Sequence, residues 1–186
     1  MILDFIQGAA LLLALCWLQT INRRLWTDHC VMAPLLSGLL FGTTCVVGML
    51  TPIVLQQGLI FDARTAVLSM AGLFGGPLVA AVAALMAGGY RFWLGGSGVW
   101  VGLANILMPV LLGLAYRYWY QRGKVQTGPW QLLAFGLLVH VLTVLLLTLL
   151  PAAQASLSLH QVAVPMLLVL PLATLILGLL LRDIEY

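Results

Sequence analysis

The sequence predicts an all-α polytopic membrane protein: a compact bundle of about seven membrane helices, two of them short and joined at a Gly-Gly-Pro turn. Three observations carry that reading. The 186 residues are 63% hydrophobic and only 7% charged, with a mean hydropathy of +1.12, a balance that no single soluble core can hide. Apolar stretches of about 20 residues, each enough to cross a bilayer, fill nearly the whole chain. Between Phe61 and Gly98 the stretch "FDARTAVLSMAGLFGGPLVAAVAALMAGGYRFWLGGSG" carries an arginine near each end and Gly75-Gly76-Pro77 near its middle.

Each element has its own justification. The chain opens on Asp4, without a positive n-region, and Arg23-Arg24 follow the apolar run. That order predicts a retained first helix over residues 3–18, and not a cleaved signal peptide. A second span over 31–50 ends at Thr51-Pro52, ahead of a polar Gln56-Gln57-Gly58 loop. Later spans are expected at 99–119, 130–150 and 162–181, joined by the turn-rich linkers "QRGKVQTGP" and "PAAQASLSLHQ". Pro109, Pro165 and Pro171 fall inside these spans, where proline releases backbone carbonyls and bends a helix.

The Gly-Gly-Pro stretch admits two topologies. As one helix, residues 65–90 would run about 39 Å, long for a core of about 30 Å. Six crossings would follow, and the better orientation leaves three of the eight Lys and Arg residues outside. A fold-back at Gly75-Gly76-Pro77 gives seven crossings with the N-terminus outside and the C-terminus inside. Arg23, Arg24, Arg117, Arg122, Lys124 and Arg182 then face the cytoplasm, and Arg64 and Arg91 alone face out. The fold-back is favoured. Its arms, 65–74 and 78–90, are expected to measure about 15 and 20 Å, neither a full crossing. Small residues permit close packing: Gly72 with Gly76, then Ala80, Ala84 and Gly88, with Gly38 and Gly42 as a matching stripe. Generic helix packing is the preferred explanation of those stripes, which support a compact bundle and no particular chemistry.

Arg64 and Arg91 carry the functional expectation. Two guanidinium forks at the ends of adjacent short helices suit a carboxylate or phosphate, so a small anionic ligand is implied. Asp62, Tyr90 and the turn Gly95, Gly96, Ser97 lie beside them, and the turn's N–H groups with the next helix N-terminus favour negative charge. Asn105, two turns into the following span, needs a polar partner and is a further candidate. The plainer alternative is that both arginines snorkel to the interface. His140 reads as a packing residue, and His29 and His160 as loop residues. Cys16, Cys30 and Cys45 form no disulfide framework. No metal-ligand spacing, P-loop, HExxH or GxSxG is present. Neither cofactor nor metal is expected, and the chain is not read as an enzyme. The basic balance of +3 reflects topology and not nucleic-acid binding.

The run "FDAR", then "AGLFGGP", then "AALMAGGYRFWLGGSG" resembles the five-transmembrane receptor domain of LytS/YhcK type. In that family an N-x-R-like element precedes a G-x-x-x-GP turn and an aromatic-Arg-x-x-x-GG element. Here Asp62 and Arg64 fill the first, Gly72, Gly76 and Pro77 the turn, and Tyr90, Arg91, Gly95 and Gly96 the last. The match covers about 38 residues; elsewhere only hydropathy and spacing agree. Asp62 replaces the more usual asparagine, and the helix after "GGSG" lacks a cysteine found in some carboxylate-sensing members. The resemblance implies an input domain of the bacterial inner membrane, normally continued into a histidine kinase or diguanylate cyclase that works as a homodimer. It divides the chain into an N-terminal helix and basic loop, 1–27, and a sensor domain, 28–186, whose output domain is expected beyond Tyr186. The short-helix, Gly-Pro, short-helix plan is also similar to the substrate-capture subunits of energy-coupling-factor transporters, the alternative reading. A third is a structural membrane subunit without a small ligand.

Overall fold

The computed structural model describes residues 2–25, 31–50, 53–54, 60–61, 63–96, 98–148 and 152–185, with side chains described over 8–25, 31–50, 63–96, 98–148 and 166–184. The helical segments are α1 (Ile2–Leu25), α2 (Met32–Leu50), α3 (Arg64–Met70), α4 (Gly76–Leu94), α5 (Val99–Gln121), α6 (Pro129–Leu147) and α7 (Ala152–Glu185), with one π turn, Ala71–Gly75, between α3 and α4. Among the described residues, five helical stretches are long and apolar enough to cross a membrane: Met32–Leu50, Arg64–Leu94, Val99–Gln121, Pro129–Leu147 and Met166–Ile184.

The expected count of about seven separate membrane helices is corrected. Helical residues follow one another without an intervening loop from Arg64 to Leu94, a stretch of 31 residues, so α3 and α4 are two parts of one of six helical segments among the described residues. The stretch is nevertheless not a straight rod. Gly76 has φ 81° and ψ −172°, far from helical values, and only glycine adopts this conformation without strain. The packing then fixes the direction of each part. Gly113 of α5 lies against the Ser69 carbonyl and Arg117 bonds the carbonyls of Leu73 and Phe74, so α3 and α5 run the same way. Gly76 lies against Arg117, Gly88 near Leu103, and Arg91 on Gly102, so α4 runs opposite to both. The chain reverses at Gly76. Pro77, in the first turn of α4, has no N–H to leave unsatisfied there.

The two arms are unequal. The twelve residues of α3 and its π turn span about 18 Å and the 19 of α4 about 28 Å. α4 therefore approaches a full crossing, longer than its expected 20 Å, while α3 stops short of it. Every residue from Thr65 to Phe74 is buried, which makes α3 the centre of the bundle, packed on α2, α5, α6 and α7. The small-residue stripes are partly reassigned. Gly38 and Gly42 do pack on α4, at Val82 and Met86, but Gly72 opposes Gly113 of α5, and the fully buried alanines of α4 are Ala80, Ala83 and Ala87.

Three further expectations are corrected. The linker "PAAQASLSLHQ" is not a loop from Ala152 onward: α7 begins there and runs 34 residues, about 51 Å, so His160 is helical. α1 extends to Leu25, beyond the expected 18. Between α2 and α3 a small antiparallel ladder pairs β1 (Ile53–Val54) with β2 (Ile60–Phe61), in register Ile53 to Phe61 and Val54 to Ile60. α1 is fastened to α2 by a polar cluster: Asn22 Nδ2 donates to Ser37 Oγ (2.8 Å) and Ala33 O (3.0 Å), and Ser37 Oγ donates to Gln19 Oε1 (2.8 Å). Such bonds fix register where an apolar helix could slide in lipid.

Candidate anion site at the arginine end of the bundle

The reversal at Gly76 determines where the arginines go. Arg91 occupies the last turn of α4, and its guanidinium side chain lies on Gly102, where any Cβ would overlap Nε. Arg91 Nη1 donates to the Gly95 carbonyl at 2.8 Å. Arg64 opens α3, with Nη1 3.1 Å from Met49 Sδ near the end of α2. Because α2 runs alongside α4, Gly38 at Val82 and Gly42 at Met86, Met49 belongs to the Arg91 end. Both arginines therefore lie toward one end of the bundle.

They do not sit at the same level. Gly72 lies opposite Gly113, so Arg64, eight residues earlier in a parallel helix, falls opposite about residue 105 of α5. Arg91 falls opposite Gly102. About three residues of helix rise separate their backbones, about 4.5 Å, in keeping with the twelve residues from Arg64 to Gly76 and the fifteen from Gly76 to Arg91. Arg64 is half-buried.

Asn105 falls about level with Arg64 and one turn from Gly102. The buried face of α5 is Gly102, Asn105, Ile106, Pro109, Val110 and Gly113, a three-and-four spacing that aims all six at α3 and α4. Asn105 is 5% exposed, and its Oδ1 is buried without a hydrogen-bond partner. Arg91, Asn105 and Arg64 thus lie within about one helical turn of one another along the bundle axis, on α4, α5 and α3.

The other candidates divide. Gly95 and Gly96 have φ of 67° and 94°, so the glycines serve the turn's left-handed backbone. The Gly95 N–H bonds Phe92 O, and its carbonyl is what faces Arg91; the expected anion-facing N–H is absent at that residue. Tyr90 stacks on Trp93, centroids 5.8 Å apart. Trp93 is 78% exposed and Trp100 77%, so Tyr90 joins an aromatic belt. Gly72, Gly75, Gly76 and Pro77 form the corner at the opposite end. Asp62 and Ser97 lie outside the described residues, as does Cys30. Cys16 and Cys45 are buried. Among the described residues no three His, Cys, Asp or Glu side chains group as a metal site.

Several contributors escape the sequence reading. Gly102 makes room for Arg91, Gly113 for α3, and Arg117 caps the corner; the signal was the spacing 102, 105, 109, 113, 117 along one face of α5. His140 is fully buried, with Nδ1 2.6 Å from Gly136 O and Nε2 3.1 Å from Thr65 Oγ1. Nδ1 must carry the proton it donates to that carbonyl, so Nε2 accepts from Thr65. This bond anchors the residue next to Arg64. A separate apolar cavity of about 290 Å³ lies beside Ala63 between α1 and α7, lined by Leu12, Leu170, Ala173 and Leu177 among others. It presents no cation, and so does not suit an anion.

No curated protein and no solved structure matches the chain. The model of the family described as 5TMR of 5TMR-LYT matches residues 21–184, from the last turns of α1 through α7 and including both arginines, Asn105 and the corner. With the short buried arm, the Gly-Pro corner and the membrane-length helices already in place, that match assigns the fold its family: the chain belongs to the 5TMR-LYT family of membrane sensor domains.

Proposed function

We propose that this chain is a sensory input domain that binds a small carboxylate-like anion between Arg64 and Arg91 at the extracytoplasmic side of a bacterial inner membrane. It relays occupancy to a C-terminal cytoplasmic output domain, a diguanylate cyclase or histidine kinase, acting as a homodimer. The observation that carries the reading is the reversal at Gly76, which brings two arginines and a buried amide toward one end of the bundle.

The charge distribution supports the orientation. Arg23 lies near Gly75 and Ile184, Arg117 at the corner, and Arg182 donates to Thr127 O, all at the end away from Arg91. With Arg24, Arg122 and Lys124 beside them in sequence, six of eight basic residues gather there. That bias orients this end to the cytoplasm, with the N-terminus outside. The relay has a physical route. Arg64 adjoins Thr65, Thr65 bonds His140, and one turn along α6 Gly136 packs on Pro171 and Thr174 of α7. An anion drawn to Arg64 biases the bundle only by its difference in affinity between two arrangements of these helices.

The test is ligand-dependent thermal stability of the detergent-purified chain against pyruvate, lactate and propionate. At least one acid is expected to raise the midpoint, and the shift is expected to vanish in both Arg64→Ala and Arg91→Ala while the unliganded midpoint moves little. Stabilisation surviving in both variants, or none by any acid, overturns the reading.

A further inference from the structure

Asn105 says more about the ligand than its charge. An amide oxygen buried in a membrane bundle is costly to leave unmet, because neither lipid nor an intact helix supplies a spare donor. Asn105 Oδ1 is in that position. Its neighbours on the buried face of α5 offer nothing: Gly102, Ile106 and Val110 have their N–H groups in the helix ladder, and Pro109 has none. Arg91 Nη1 is committed to Gly95 O. A buried acceptor about one turn from one cation and level with another is complementary to a molecule that is an anion at one atom and a donor at the next.

Which donor follows from the charges. An ammonium would stand beside two guanidinium groups, and like charges at such spacing repel strongly in a low dielectric. A hydroxyl brings a proton without a charge. We infer that the site selects small hydroxycarboxylates, the carboxylate paired with Arg64 and Arg91 and the hydroxyl donating to Asn105 Oδ1. This rests on the anion site proposed above and goes beyond it by requiring the hydroxyl. The selectivity has a clear physical basis: an analogue without the hydroxyl leaves the buried oxygen unmet in the complex, and sites built to bond a hydroxyl discriminate steeply against its absence.

The experiment compares four acids of nearly equal size on the full chain in detergent by isothermal titration: lactate, propionate, pyruvate and alanine. The expected result is that lactate binds at least about tenfold more tightly than propionate or pyruvate, and that alanine binds most weakly. In Asn105→Leu the lactate preference is expected to collapse to within about twofold, with propionate affinity kept or improved. Asn105→Ser is a second variant for the case that leucine disturbs packing, and is expected to lose most of the preference. Propionate within twofold of lactate on the native chain overturns the hydroxyl requirement while leaving the anion site standing. A lactate preference that persists in both variants overturns the role of Asn105. Absence of binding by all four acids overturns the anion site and this inference together.

Discussion

Arg117 Nη1 donates to the Phe74 carbonyl at 2.7 Å, and also to Leu73 O at 2.9 Å. These carbonyls belong to the last turn before the corner, where no following helix supplies donors. A cation at a helix C-terminus also meets the negative end of the helix dipole. Arg117→Met is expected to cost about 1.5–3 kcal/mol, the range for hydrogen bonds to charged groups. Arg117→Lys should recover only part of it, since an ammonium lacks the planar fork. Unfolding of the purified chain with increasing denaturing detergent measures both. Equal stability of Arg117→Met and the native chain would mean that the corner needs no cap.

Gly113 and Gly72 bring the backbones of α5 and α3 together, and a Cβ on Gly113 would overlap the Ser69 carbonyl. Gly113→Ala should therefore destabilise by about 1–3 kcal/mol through forced separation of the two helices. Gly89→Ala is the control. Gly89 has open space around it within α4, so the substitution should be neutral or stabilising by up to about 1 kcal/mol. Similar thermal midpoints for the two variants would contradict the close approach.

The Thr65–His140 bond joins the start of the short arm to α6. Thr65→Val leaves His140 Nε2 buried without a donor, at about 1–3 kcal/mol. Combining it with His140→Phe removes both polar partners, so the double variant should be less destabilised than the two singles summed, a coupling of about 1 kcal/mol. If the bond is also the relay, Thr65→Val should keep ligand affinity and weaken ligand-induced change at α7. Crosslinking yield from a cysteine placed at Asp183, with and without lactate, reads that change; an unaltered response in Thr65→Val excludes the relay.

Sidedness is testable independently of any ligand. With Cys16, Cys30 and Cys45 replaced by alanine, a cysteine at position 97 should react with an impermeant thiol reagent from outside intact cells. One at position 124 should react only after permeabilisation. Labelling of both from outside would remove the fold-back topology.

Sequence alone determined that the chain lives in lipid, where its helices begin and end to within a few residues except at the end of α1 and the start of α7, and that something bends between Arg64 and Arg91. Those follow from terms local in sequence: apolar length, glycine and proline chemistry, and the sparseness of charge. The tertiary structure decided what hydropathy could not express. In a bilayer the lipid-facing and protein-facing sides of a helix are both apolar, so the sequence of α5 does not announce that Gly102, Asn105, Gly113 and Arg117 share an inward face, nor that α3 is central while α4 lies beside it. The same degeneracy hid the unequal arms: apolar residues continue through Phe92, Trp93 and Leu94, so nothing local marks Tyr90 as the end of α4. Arg117 looked like one more cytoplasmic charge because its partners are backbone carbonyls more than 40 residues away. His140 looked like packing because its partner Thr65 is distant in sequence and adjacent only once the chain has turned at Gly76.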